Sequence, residues 1–242
     1  MAPFAFFDEV HKSFTTKEVL RGLTLLIREG EALVILGGSG TGKTVILKHI
    51  VGLLMPDSGR IFIQGNDITD YDESQFLPIR KDVGFLFQGG ALFDSMNVYE
   101  NIAFPLREHT SLENEEVESK VREKLKLVGL EGTEWMMPDK LSGGMRKRVA
   151  LARAIVQEPK ALLYDEPTTG LDPITTRWVS TLMRNIHEQL DITSVIVTHN
   201  IQSALSVADR IAFLYRGRIK FVGTPEEIKA SGDHIVQEFL KS

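Results

Sequence analysis

Cysteine is absent from the sequence. That excludes a disulfide framework, a thiolate zinc site and a thiol nucleophile, and it fits a reducing compartment, the cytoplasm by default. No stretch reaches the roughly 18 consecutive apolar residues that a spanning helix needs. The opening Met1-Ala2-Pro3-Phe4-Ala5-Phe6-Phe7-Asp8-Glu9 lacks the basic region and longer apolar core of a secretory leader. A membrane role is therefore expected to run through a partner. A basic excess is missing too: 28 Lys and Arg stand against 33 Asp and Glu, a net charge of −5. With no Lys/Arg-dense run either, nucleic-acid binding is not expected. The sequence has no internal repeat and no low-complexity tract.

What is there is ordinary globular material. With 242 residues, 43% hydrophobic and 25% charged, the chain can bury one core, or one core with a smaller lobe. The segments Phe4 to Val10 and Val19 to Ile27 are short and partly alternating, which predicts strands of a half-buried antiparallel N-terminal lobe. The run Ala32 to Leu36 is continuously apolar and stops at glycine. It reads as a strand buried on both faces, followed by a glycine-rich turn and a helix over about 43–54. Further apolar runs at Val83 to Phe87, Ala161 to Tyr164, Ile192 to Val197 and Ile211 to Leu214 alternate with helical stretches. Ile174, Trp178, Leu182 and Ile186 form one helical stripe. The expected fold class is α/β, with a mainly parallel core sheet. From about 90 to 140 the strands stop and the pattern turns helical and polar, clearest from Leu112 to Leu127. The expected division is a core with its β-lobe at 1–89 and 141–242, and a helical lobe at 90–140, within one 1–242 domain.

Gly37-Gly38-Ser39-Gly40-Thr41-Gly42-Lys43-Thr44 fits the pattern G-x-x-x-x-G-K-[ST] between a buried strand and a helix, as a phosphate-binding P-loop requires. Glycines let successive backbone N–H groups curl around phosphate oxygens, and the helix N-terminus adds positive potential. Lys43 is placed to reach the β and γ phosphates of ATP and Thr44 to ligate Mg²⁺; Val45, next along, is grouped with the cradle. A second half should follow another buried strand, and Asp165 and Glu166 close the run from Ala161. Asp165 is expected to hold Mg²⁺, mostly through water. Glu166 is the candidate general base toward the attacking water.

Leu141-Ser142-Gly143-Gly144-Met145, about twenty residues before that strand, resembles the signature of ATP-binding-cassette (ABC) ATPases. Ser142 and the two glycines open a helix expected over 146–157, a second anion-binding helix start. Met145 stands where the family usually has Gln. The resemblance covers about Phe4 to Leu240 and implies a P-loop NTPase with a RecA-like core. It places Phe14 where an aromatic ring stacks on adenine, though a core role fits this lone Phe as well. It matches Gln88 to the glutamine that senses Mg²⁺ and the transporter partner, Asp172 to the loop facing the other subunit, and His199 to the switch histidine at the γ-phosphate. His11, His49, His109, His187 and His234 match nothing in it and read as structural or solvent-facing.

In this family ATP lies between the P-loop of one copy and the signature of another, so the resemblance implies a homodimer. The segment from Phe85 to Thr110, above all Phe104-Pro105-Leu106-Arg107-Glu108-His109-Thr110, together with Asp172-Pro173-Ile174-Thr175, is similar to Mla (maintenance of lipid asymmetry) ATPases and relatives serving MCE-domain systems. That implies phospholipid as cargo, with an integral membrane permease, an MCE lipid-binding protein and a small accessory regulatory subunit as partners. It also implies a peripheral place, through the permease, on the cytoplasmic face of the inner (plasma) membrane. Ala91, Leu92, Phe93 and Met96 either line the groove for the permease or belong to the core. Three other readings stay open: a polar amino-acid importer, a non-transport ABC ATPase, and a degenerate regulatory module. Intact Lys43, Asp165, Glu166 and His199 oppose the last.

Overall fold

The computed structural model describes residues 2–241. Met1 and Ser242, the outermost residues of the expected domain, lie outside the described residues. The chain opens with two long strands, β1 (Pro3–Phe14) and β2 (Lys17–Arg28), paired antiparallel around a tight turn in which Thr15 takes φ 54°. Both outrun the segments expected from alternation, because bulges let the ladder continue where the apolar pattern slips. β3 (Ala32–Leu36) is buried throughout, and the glycine-rich loop after it leads into α1 (Lys43–Ile50). That helix is shorter than expected. The chain turns at Gly52, φ 66°, over which the Phe76 ring lies.

β4 (Ser58–Ile63) adds to β1, and β5 (Asn66–Asp67) adds to β4, completing an antiparallel sheet in the order β2-β1-β4-β5. Next come α2 (Glu73–Asp82), β6 (Val83–Leu86), α3 (Val98–His109), α4 (Asn114–Leu127) and a short 3₁₀ turn (Pro138–Lys140). Then follow α5 (Gly143–Ile155), β7 (Ala161–Asp165), α6 (Pro173–Leu190), β8 (Thr193–Thr198), α7 (Ile201–Val207), β9 (Arg210–Tyr215), β10 (Arg218–Gly223), α8 (Pro225–Lys229) and α9 (His234–Leu240). α5 starts three residues earlier than its apolar period predicts, because Ser142 caps it and both glycines join the first turn. β6 stops at Leu86, so Gln88 lies two residues beyond the strand.

The second sheet runs β10-β9-β3-β8-β7-β6, parallel except for β10 at its edge. Its central strands are apolar without alternation because both faces are covered. Leu33, Ile35, Leu163, Val195 and Val197 face α1 and the antiparallel lobe. Val34, Leu36, Leu162, Tyr164 and Ile196 face the helices of the other side. The same apolar cluster continues outward through Val149 and Ala150 of α5 to Ile102 of α3 and Val121 of α4. The stripe on α6 divides: Leu182 and Ile186 are buried, whereas Ile174 is 81% exposed and Trp178 lies near the surface under the Arg148 guanidinium, 4.6 Å from its ring. Among the described residues no helix is long and apolar enough to cross a membrane.

Register decides what meets at the top of the sheet. Leu36 is opposite Thr198, and Asp165 is opposite Val197. The carboxyl ends of β3, β8 and β7 therefore finish level, with β8 in the middle, which is where open α/β sheets bind ligands.

Candidate functional site

The loop after β3 needs its glycines. Gly42 takes φ 107°, and a Cβ there would lie 2.8 Å from Val19. As the N-cap of α1 it supplies no side-chain hydrogen bond, so the first-turn N–H groups are left without a side-chain cap. Lys43 folds back over the loop and is only 5% exposed. Its ammonium donates to the carbonyls of Gly37 (3.0 Å) and Gly38 (2.9 Å) and pairs with Glu166 Oε1 at 3.2 Å. Those three partners match its three donors. Thr41 Oγ1 also donates to the Gly38 carbonyl, at 2.9 Å.

Thr44 Oγ1 donates to Asp165 Oδ1 at 2.8 Å. Burial pushes the Asp165 carboxyl up; the Thr44 hydrogen bond opposes this and the neighbouring Glu166 charge adds to it, leaving the group above its ordinary value. A hydroxyl and a carboxylate side by side are hard oxygen donors and fit Mg²⁺, which keeps several waters and phosphate ligands of its own.

Glu166 is the most constrained residue here. Its φ of 48° puts a non-glycine side chain in the left-handed region. Oε2 accepts from Thr169 Oγ1 (3.1 Å), Thr198 Oγ1 (3.3 Å) and the His199 N–H (3.4 Å), and His199 Nδ1 lies 2.9 Å away. Burial pushes this carboxyl up, but the His199 hydrogen bond and the Lys43 charge outweigh it and hold Glu166 below the usual carboxylate range. Two adjacent carboxylates are thus driven in opposite directions. Behind the turn, Lys147 of α5 donates to the carbonyls of Thr169 (2.6 Å) and Glu166 (3.4 Å). Its ammonium is pushed below the ordinary lysine value by burial, with Glu166 opposing.

Phe14, Ser39, Gly40, Gly42, Lys43, Thr44, Val45, Gln88, Glu166 and His199 meet around an open cleft of about 450 Å³. Gly37, Gly38 and Asp165 lie just behind its wall, joined to it by the hydrogen bonds to Lys43 and Thr44, and Thr41 is bonded to the Gly38 carbonyl. Phe14 is 42% exposed with Lys12 Nζ 5.8 Å from its ring centroid, so it is a cleft residue and not a core one. Reasoning from sequence missed Val19 and Thr169 in the wall and Thr198 and Lys147 behind it. Thr198 and Thr169 stand one and three residues from recognised positions, but a lone threonine carries no signal of where its hydroxyl points.

Ser142, Gly143, Gly144 and Asp172 do not line this cleft. Ser142 Oγ accepts the Met145 N–H at 3.2 Å, and Asp172 caps α6 by accepting the N–H groups of Ile174 (2.9 Å) and Thr175 (3.0 Å). The two helix starts touch: a Cβ on Gly144 would fall 2.8 Å from Thr175 Cγ2. Ser142, Gly143 and Asp172 are exposed and together form a second polar face. Of the segment after Gln88, Leu92 packs on the core while Phe93 is exposed against Phe104. Arg153 donates to the carbonyls of Gly90 and Ala91, both 2.9 Å, and buried Asn101 bonds Phe93 and Met96.

Residues 20–169 match the family model described as ABC transporter. A relative named probable ribonucleotide transport ATP-binding protein mkl, from Mycobacterium tuberculosis, is 48% identical over 229 residues, 95% of this chain and 64% of its own length. The chain thus spans a little under two thirds of that protein. The intermembrane phospholipid transport system ATP-binding protein MlaF of Haemophilus influenzae is 42% identical over 219 residues, 90% of this chain and 83% of its own. Among solved structures, the dimeric post-hydrolysis state of the ATP-binding cassette MJ0796 bound to ADP and Pi superposes with a TM-score of 0.84. It is 32% identical, over 91% of this chain and 98% of that one.

Proposed function

The chain belongs to the ABC transporter family, and from that premise we propose that it is the ATP-hydrolysing subunit of a machine that moves phospholipid between membranes. The observation that carries the catalytic part is the Glu166 carboxylate, held ionised between Lys43 and His199 beside the Thr44–Asp165 pair. ATP is the substrate. Its phosphates lie over the first turn of α1, and its adenine stacks on Phe14. Lys43 leaves Glu166 for the β and γ phosphates, which frees Oε1 to accept a proton from the attacking water. His199, fixed through Nδ1 by Glu166, turns Nε2 toward the γ-phosphate. Thr44 and Asp165, with Gln88, would hold Mg²⁺, which would supply charge neutralisation to the phosphates.

Ser142, Gly143, Gly144 and Asp172 act on the nucleotide of a second copy, which makes the working unit a homodimer with two shared sites. Residues 90–140 form the helical lobe and, with the exposed Phe93, receive an integral permease. An MCE lipid-binding protein and a small accessory subunit complete the assembly, which sits at the cytoplasmic face of the inner membrane. The name of the MlaF relative, 42% identical, supports phospholipid as cargo. The 48% identical mycobacterial relative is named for ribonucleotide transport, so a second cargo reading has its own support.

Purification of the intact membrane complex, followed by lipid extraction and ATPase assay, separates the two. Co-purified phospholipid that moves between vesicles only with ATP is the expected outcome. Turnover stimulated by ribonucleotides other than ATP, with no lipid carried, overturns the cargo assignment. A Glu166→Gln complex that still hydrolyses ATP at the native rate overturns the catalytic one.

A further inference from the structure

Helix α5 begins at Ser142 on the outer polar face and, five residues on, sends Lys147 to the back of the catalytic turn. Lys147 is 8% exposed. Among the described residues it forms no ion pair, and it donates to the carbonyls of Glu166 and Thr169. A buried ammonium without a carboxylate at contact costs stability that Leu or Met at the same place would not. The charge has a local use instead. Glu166 sits at φ 48°, a conformation unfavourable for a non-glycine residue that persists only where its surroundings over-determine it. One carbonyl that Lys147 takes belongs to that strained residue. The other belongs to Thr169, whose hydroxyl in turn donates to Glu166 Oε2 at 3.1 Å and whose N–H donates to the Glu166 carbonyl at 3.2 Å. Moving Lys147 therefore moves the carboxylate.

We propose that Lys147 is a positioning residue that couples the two shared ATP sites of a dimer through one subunit. It pins the turn carrying Glu166, which serves the chain's own nucleotide, to the helix whose start holds the partner's. This rests on the dimeric ATPase reading given above. Ser142 and Lys147 are separated by about 7 Å of helix axis, a stretch with no proline and with its next turn packed in the core at Val149 and Ala150. A shift of α5 as Ser142 closes on the partner's phosphates is passed to the Glu166 turn as a rigid-body displacement.

The test uses the complete ATPase in its membrane complex. Lys147→Met keeps length and burial and removes the donors; Lys147→Gln keeps one donor. The expected result for Lys147→Met is a kcat lowered about tenfold to a hundredfold, the loss a misplaced catalytic group produces. ATP affinity at the P-loop stays at the native value, Tm does not fall, the Hill coefficient for ATP falls to one, and Lys147→Gln recovers part of kcat. Native kcat and cooperativity in Lys147→Met overturn the proposal, and so does a loss of kcat that only tracks lower ATP affinity and lower Tm. If Lys147→Met does not fold, the same measurements on Lys147→Gln decide. Glu166→Gln is the control. Should it hydrolyse ATP normally, the catalytic assignment of Glu166 on which the coupling rests fails; should it be inactive while Lys147→Met is native-like, the coupling alone fails.

Discussion

At the start of α1 the charged and hydroxyl side chains have already found partners: Lys43 is closed onto two carbonyls and a carboxylate, Thr44 onto Asp165, and Glu166 onto His199 and two threonines. At the start of α5 the same kind of helix N-terminus is left facing outward, with Ser142 and Gly143 exposed and Asp172 beside them capping its own helix. Both ends offer backbone N–H groups and positive potential to an anion. Only the first has the proposed base Glu166, the Thr44–Asp165 pair proposed for Mg²⁺ and the exposed Phe14 ring beside it. The second has nothing to react with on its own chain, because the fold sets the two on different faces. The contrast is what the proposed dimer requires: one subunit would carry two unlike halves of a site, each completed by another molecule.

Several measurements press on that contrast. Glu166→Gln removes the base and keeps the cradle, so turnover is expected to drop on the order of 10²- to 10⁴-fold with ATP binding preserved; phosphate release and nucleotide titration on one preparation check both. Ser142→Arg blocks the outer half, and Lys43→Ala empties the inner half, so each chain alone is expected to be inactive. Mixed together, about half of random dimers carry one complete site out of two, and ATPase activity returns to about a quarter of native. No recovery on mixing breaks the comparison, since it means that the two halves never meet across a dimer. Phe14→Ala tests the wall of the inner half and is expected to weaken ATP binding from a few-fold to about tenfold, read by the same titration.

The smallest effect is a control far from both faces. Burial pushes the Asp209 carboxyl up, but the Arg184 hydrogen bond and the Ala32 N–H outweigh it, so it titrates below the ordinary carboxylate value. A depressed folded value means that the stabilisation is complete above the unfolded pKa of about 3.9 and is lost as pH falls through the lower folded one. Asp209→Asn is therefore expected to lower Tm by about 2–6 °C at neutral pH, with kcat at 25 °C unchanged. The gap should narrow progressively as the melts are repeated at pH values falling below about 3.9. A gap that does not narrow places the cause in packing and not in charge.

The features legible along the chain were those whose physics is local. Ala32 to Leu36 followed by a glycine-rich loop announces a buried strand and a phosphate cradle without reference to anything distant, and a P-loop implies a carboxylate at the end of another strand. Periodicity marked α6 correctly but could not tell which part of its stripe is covered; Ile174 and Trp178 prolong the pattern into solvent. β4 was missed because only Ile61 and Ile63 are buried in it, too little apolar pattern to stand out, and its identity as a strand comes from pairing with β1. The early end of α1 was invisible because the ring over Gly52 arrives from α2.

Taken alone, the sequence determined the fold class, the nucleotide-phosphate motif and the order of the acidic, signature and histidine positions, since each is written in neighbouring residues. Tertiary structure alone decided that β8 lies between β3 and β7, so that Thr198 and His199 reach Glu166. It also decided that Lys147 stands behind Glu166, and that Ser142 and Asp172 share a face away from Lys43. Strand order and helix packing join residues far apart in the chain, and no local pattern encodes a contact whose other half lies on a different element.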